Sequence, residues 1–425
     1  MPSRVKTFWI LTTVCIVAVV LYFGIPRLSS SSYIRNDIAD IASESTASVT
    51  ETVEQEESVM VEPSIPVRVT THIATPPRVK AIYMSSWVAG TKSIRKKIID
   101  VIERTEVNAI VIDIKDYTGN ISYEPLDESL HAQNTWTRRI ADIESLIDEL
   151  HSKNIYVIGR VAVFQDPFFV KAHPEYAVKK SSDKTVVWAD RKGIHWLDAG
   201  AEPVWEYVVS IAKDAHTMGF DEINFDYIRF PSDGNMKDIY YPVSDGKSKS
   251  EVLETFFKYL SENLRTGETS IPISADLFGM TTSNTDDLGI GQVLEKALPY
   301  FDFIAPMVYP SHYPPTWHGF KNPAEHPYEV IKISMSKAYE RAVAMGESPK
   351  KLRPWLQDFN LGAQYTPERV RAQITATYDI GLDSWMLWDP ANTYTEEALY
   401  LDDMQDVIAS PKITLPQSES TSTIE

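Results

Sequence analysis

Cysteine is nearly missing from this 425-residue chain. Cys15 stands alone, so neither an intramolecular disulfide nor a cysteine-based metal site can form. The nine histidines include no HxxxH or HxH pair, which speaks against a metal deacetylase or metallohydrolase. Neither a metal nor a cofactor is expected. The phosphate loops GxGxxG and GxxxxGK are absent, and so is GxSxG, which argues against a nucleotide-binding open sheet and an α/β-hydrolase esterase. Positive charge is in deficit: 41 Lys and Arg against 59 Asp and Glu leave a formal net charge of −18. The phosphates of a nucleic acid would be repelled, so no nucleic-acid partner is expected, and a neutral ligand fits better.

What is present divides into unequal parts. Residues 8–25, FWILTTVCIVAVVLYFGI, form an uncharged apolar run at the lower limit for crossing a bilayer, with Arg4 and Lys6 before it. The segment that follows lacks a small-x-small cleavage site, so residues 1–28 read as a cytoplasmic tip and an uncleaved signal anchor, with a cleaved signal peptide as the rival. Residues 29–77 are rich in Ser, Thr, Glu and Val and end in TPP, a composition too polar to offset its ordering entropy; they read as a disordered stalk. Residues 78–410 read as the folded domain and 411–425 as a disordered tail. The expected location is the cell membrane, single-pass, with the domain on the extracytoplasmic side. The oligomeric state is not legible.

Within the domain, near-continuous apolar runs alternate with helical patterns. The runs cover 78–87, 108–115, 155–164, 221–230, 271–279, 301–310, 352–359 and 384–390. The helical patterns lie near 93–105, 137–153, 203–218, 248–265, 289–299, 327–345, 367–380 and 395–409. Strands apolar on both faces belong to a parallel sheet. Eight such alternations predict an α/β fold, a (β/α)8 TIM barrel, preceded by the transmembrane helix and stalk.

Chemistry in such a barrel gathers at the C-terminal ends of the strands. Those ends carry Asp113, Lys115 and Asp116 on strand two, Arg160 on strand three and Asp226 and Arg229 on strand four. Asp276 follows on strand five, Tyr309 on six, Gln357 and Asp358 on seven, and Trp388 and Asp389 on eight. Carboxylates with Trp and Tyr suit sugar chemistry, in which two carboxyl groups supply acid and nucleophile or base and aromatic faces stack on sugar rings. Strands four and five should pair about 4.8 Å apart, which could bring their carboxyl groups near the ~5–5.5 Å of a retaining pair. Each residue has a plainer reading beside this one. Asp226 could be a structural partner of Arg160 or Arg229, Asp276 could cap the loop that follows it, Asp389 could cap the last helix, and Asp113 with Lys115 could be a solvated pair. Trp388, Tyr309 and Trp87 could be core. The segment 165–202, with Phe168, Phe169, Trp188 and Trp196, could wall the cleft or form a satellite core.

The blocks WLDAGAEPVWEYVVSIAKDAHTMGFDEINFDYIRFPSDG (196–234), IAPMVYPSHY (304–313), KLRPWLQDFN (351–360) and WMLWDPANTYTEEAL (385–399) resemble a bacterial domain-of-unknown-function family described as glycoside hydrolases. The similarity runs from about residue 78 to 405. It implies a TIM barrel distantly related to α-amylase- and α-galactosidase-like glycosidases. The resemblance places Asp226 as nucleophile and suggests Asp276, with a raised pKa, as acid/base. The remaining rim residues, Asp113, Lys115, Arg160, Arg229, Tyr309, Gln357, Asp358, Trp388 and Asp389, are expected to contact substrate. Two functions remain open: a membrane-tethered hydrolase of a cell-envelope or extracellular polysaccharide, or a catalytically silent barrel that binds glycan.

Overall fold

Strand-forming runs in this chain close on themselves. In a computed structural model, which describes residues 70–267 and 270–400, the strands are β1 Lys80–Met84, β2 Ala109–Lys115, β3 Tyr156–Ala162 and β4 Glu222–Asp226. They continue as β5 Ile273–Phe278, β6 Phe303–Met307, β7 Trp355–Gln357 and β8 Trp385–Trp388. Each pairs in parallel with the next, and β8 pairs with β1 to close the barrel. Between them run α1 Lys92–Arg104, α2 Ile143–Ser152, α3 Glu202–Met218, α4 Lys249–Leu264, α5 Leu294–Ala297, α6 Pro327–Ala344 and α7 Pro367–Asp379. The signals are local. In α3, Pro203 sits in the first turn, Gly219 at φ 121° caps the end, and Val204, Val208, Ile211 and Ala215 recur at helical spacing on the buried face.

Strand parity sorts the core into two. Odd-numbered positions of β1 to β2, and even-numbered ones of β3 to β5, face the barrel interior. There Ala81, Tyr83, Ala109, Val111, Tyr156 and Ile158 pack with Ala305, Trp355 and Met386. The opposite parity, including Ile82, Ile110, Ile112, Val157, Ile223 and Phe225, packs against the helical layer.

Several elements depart from expectation. Helix α2 begins at Ile143 and not near 137, because the amides of Thr137 and Ile140 donate to Ile121 and Ser122 in the loop after β2. The pattern at 289–299 yields only the single turn α5, since Leu288, Gly289 and Gly291 take positive φ, which a right-handed helix does not accommodate. After β8 there is a short 3-10 turn, Glu396–Ala398; the remainder of the 395–409 pattern from 401 onward lies outside the described residues. Strand β4 stops at Asp226, because Tyr227 has φ 54°.

The linker assignment also changes at its end. Ile73 donates its amide to Asp221 at 2.7 Å, Thr75 meets the Tyr156 hydroxyl at 2.9 Å, and His72 stacks on His216 at 3.9 Å, so residues 70–77 are held on the folded domain. Among the described residues no helix is long and apolar enough to cross a membrane; the run 8–25, the rest of the 29–77 segment and the tail 411–425 lie outside the described residues.

Candidate active site

The interior parity of β2 to β5 delivers Asp113, Arg160, Asp226 and Asp276 into one layer at the C-terminal end of the barrel. Arg160 organises it. Its Nη1 donates to Asp113 Oδ1 at 2.5 Å, its Nη2 to Asp226, and its Nε lies 3.6 Å from Asp276 Oδ2. Asp113 also accepts from the Tyr83 hydroxyl at 2.5 Å, and Tyr83 stacks on Trp388 with ring centroids 3.9 Å apart. Asp276 Oδ1 accepts from Asn224 Nδ2 at 2.9 Å and from Trp355 Nε1 at 2.7 Å. Burial, reinforced by the charge of Asp226, pushes Asp276 up to about 8, so one member of the pair is protonated at neutral pH. Burial also raises Asp113.

Above this layer opens a cavity of about 340 Å³, within the range of small-ligand sites. Asp226, Arg229 and His312 are its ionisable Asp, Arg and His lining residues; Tyr227, Phe278, Met280, Met307, Tyr309 and Tyr313 supply most of the remaining wall. Asp226 Oδ1 accepts from the amide of Tyr227 at 2.5 Å. That bond and the positive φ of Tyr227 turn the chain sharply where β4 ends, a conformation that costs of order 1–3 kcal/mol in a non-glycine residue and that clusters at functional sites. Gly279, just after β5, also lines the cavity, and a Cβ there would collide with the carbonyl of Met307. Burial lowers His312, favouring its neutral form.

The expected residues fall into three groups. Asp226, Arg229 and Tyr309 line the cavity. Asp113, Arg160, Asp276 and Trp388 belong to the network around and beneath Asp226. Lys115, Gln357, Asp358 and Asp389 are taken up by structure. Lys115, fully buried, bonds the Ala162 carbonyl at 2.5 Å and Asp166 at 2.8 Å, so it is not part of a solvated pair with Asp113. Gln357 accepts from the Ser311 amide and donates to the Phe359 carbonyl. Asp358 holds the amide and hydroxyl of Thr395, and Asp389 holds the amides of Ala391 and Thr393. Burial raises both, Asp358 to about 7. The alternative pairing of Asp226 resolves onto Arg160; Arg229 forms no carboxylate pair among the described residues.

Sequence reading missed Tyr83, Asn224 and Trp355, whose partners come from other strands, and Tyr227, whose signal was only the polar break in the run 221–230. Trp87 is 63% exposed, with Arg139 over its ring at 4.2 Å, and does not line the cavity. The segment 165–202 is a satellite core: Trp188 and Trp196 are buried, and none of its residues lines the cavity. No cluster of three metal-ligating side chains assembles among the described residues.

Comparison with known proteins follows the same outline. Residues 81–394 match DUF4015, described as "Putative glycosyl hydrolase domain". A hypothetical protein from Ruminiclostridium thermocellum is 34% identical over 49% of this chain and 98% of its own, with a TM-score of 0.42. The glycoside hydrolase domain of PgaB (BpsB) from Bordetella bronchiseptica has a TM-score of 0.55 at 12% identity, covering 76% of this chain and 99% of that one. Alpha-L-fucosidase isoenzyme 2 from Paenibacillus thiaminolyticus has 0.53 at 13%, covering 76% of this chain and 48% of that one. No curated protein matches the chain.

Proposed function

Because the chain belongs to the DUF4015 family of glycosyl hydrolase domains, we propose that it cleaves a glycosidic bond of a cell-envelope or extracellular polysaccharide at the mouth of its barrel. The observation that carries the reading is the position of Asp226. It is the one carboxylate among the residues lining the cavity, fixed at a strand end by Arg160 and by the Tyr227 amide.

In this reading Asp226 faces the anomeric carbon and acts as nucleophile in a retaining reaction. Asp276 is the proton source. Its protonated state up to about pH 8 suits a general acid. At 1% exposure and bonded to Asn224 and Trp355, it lies below the cavity lining, so its proton reaches a glycosidic oxygen only when a bound sugar draws the side chain upward. Leaving-group dependence tests this. Asp276→Asn should cut turnover of a natural glycan steeply while sparing aryl glycosides whose leaving group needs no proton. Equal loss on both would reduce Asp276 to positioning Asp226. Release of reducing ends from a glycan panel tests the activity itself.

The apolar run 8–25 and the polar segment after it support a membrane tether with the barrel on the extracytoplasmic side. Protease protection in intact cells against lysed cells would test that placement.

A further inference from the structure

Arg229 is the charged group in the cavity that the chemistry above leaves idle. Its surroundings are those of a receptor. The guanidinium lies over the rings of Trp196, Tyr227 and Phe278, with centroids 4.8, 5.3 and 4.8 Å away. Nη1 is spent on the Phe230 carbonyl at 3.1 Å and the Ser232 hydroxyl at 3.2 Å. Nε and Nη2, which together form the side-on fork, make no hydrogen bond among the described residues. The fully buried arginines are treated differently: Arg95 meets Asp142, Arg160 meets Asp113 and Asp226, and Arg353 meets Glu222. Arg229 is half-buried, and three aromatic rings hold its guanidinium beside Asp226 at the cavity wall, with no carboxylate in ion-pair contact among the described residues.

We propose that Arg229 receives the carboxylate of an acidic sugar, so that the glycan cleaved here carries a carboxylate-bearing unit, such as a uronate, at the cleavage subsite. This rests on the glycosidase reading above. The fork of Nε and Nη2 matches a carboxylate with two parallel charge-assisted hydrogen bonds, a geometry that a lysine cannot supply. Asp226 does not compete for it, being bound to Arg160, which is shared with Asp113. The formal charge of −18 favours a neutral ligand only as a whole-chain average. Screening over roughly 8 Å at physiological ionic strength leaves the immediate neighbours to decide, and here the available neighbour is a cation. Segment 165–202 gains a purpose in this picture: Trp196, itself held by Asp190 through its Nε1 at 3.0 Å, backs the guanidinium.

The test compares oligogalacturonates and glucuronate-containing oligosaccharides with their carboxyl-reduced twins. Binding is measured to the full-length protein carrying Asp226→Asn, so that no turnover intervenes. The acidic member of at least one twin pair should bind ten-fold or more tightly than its reduced twin. Arg229→Gln should bring it down to the level of that twin, and Arg229→Lys should keep part of the preference, with thermal melts confirming that both variants fold. Equal binding within every pair, no binding of any acid, or a preference that survives Arg229→Gln would overturn the proposal. Hydrolysis assays on the unmutated protein separate the two readings. Asp226-dependent cleavage of glycans without preference for acidic ones would sink the role of Arg229 and leave the glycosidase. Arg229-dependent binding of acids with no cleavage of any glycan would do the reverse.

Discussion

At the scale of single residues, the same side chain can be structural or chemical according to what it meets. Asp226 ends β4 and Asp358 directly follows β7, yet Asp358 is consumed by Thr395 while Asp226 opens onto a cavity. Asp226→Asn keeps shape and leaves Arg160 with Asp113. Turnover on a verified glycan should therefore fall by about 10³-fold or more, as for loss of a group that acts in the transition state, with the melting temperature little changed. Arg160→Met should behave in the opposite way. It strands Asp113 and Asp226 as unpaired buried carboxylates and should cost about 3–5 kcal/mol in denaturant unfolding. A melt unchanged by Arg160→Met would mean that the carboxylates relax to solvent and that Arg160 is not what holds the layer together.

At the scale of elements, the loop after β3 and the turn after β4 act together. Trp196 is fully buried, and its ring both fills the satellite core and backs Arg229. Trp196→Ala should cost about 3–5 kcal/mol, the usual range for emptying a buried aromatic site, and should weaken substrate binding by freeing Arg229 to move. Chemical denaturation gives the first quantity and KM the second. A stability loss with KM unchanged would separate the loop from the site. The legibility of elements follows the same division. Helices α3, α4, α6 and α7 matched their apolar periodicity to within one residue at either end, because caps and spacing are written locally. The run at 221–230 misled, because the positive φ of Tyr227 is imposed by its neighbours in space.

At the scale of the molecule, two quantities report on the whole fold. Asp276 and Asp358 have pKa values raised by burial to about 8 and about 7, against roughly 4 in an unfolded chain. The folded chain retains protons that the unfolded chain has released. Their stabilising contribution is thus complete below about pH 4 and is lost as pH rises through the folded values. The melting temperature should fall between pH 5 and 8, and Asp276→Asn, which cannot titrate, should flatten part of that slope. The second quantity is the domain edge. Truncation to begin at residue 70 should preserve the melting temperature, whereas truncation to begin at 78 removes the bonds of Ile73 to Asp221 and of Thr75 to Tyr156 and should lower it. Equal melts would show that those contacts add nothing.

The chain by itself determined the barrel. Eight apolar runs alternating with eight helical patterns leave few other ways to bury both faces of every strand, and strand-end position placed Asp113, Arg160, Asp226 and Asp276 on one rim. What only the tertiary structure decided was who meets whom. Lys115 and Asp389 look as chemical in the sequence as Arg160 and Asp226, but strand register and closure gave Lys115 to Asp166 and the Ala162 carbonyl, Asp389 to its own loop, and Arg160 to three carboxylates. The reason is physical: residue spacing along a strand is fixed by the backbone, whereas the partner of a buried charge is set by the heights at which neighbouring strands align, and those heights follow from closing the whole barrel.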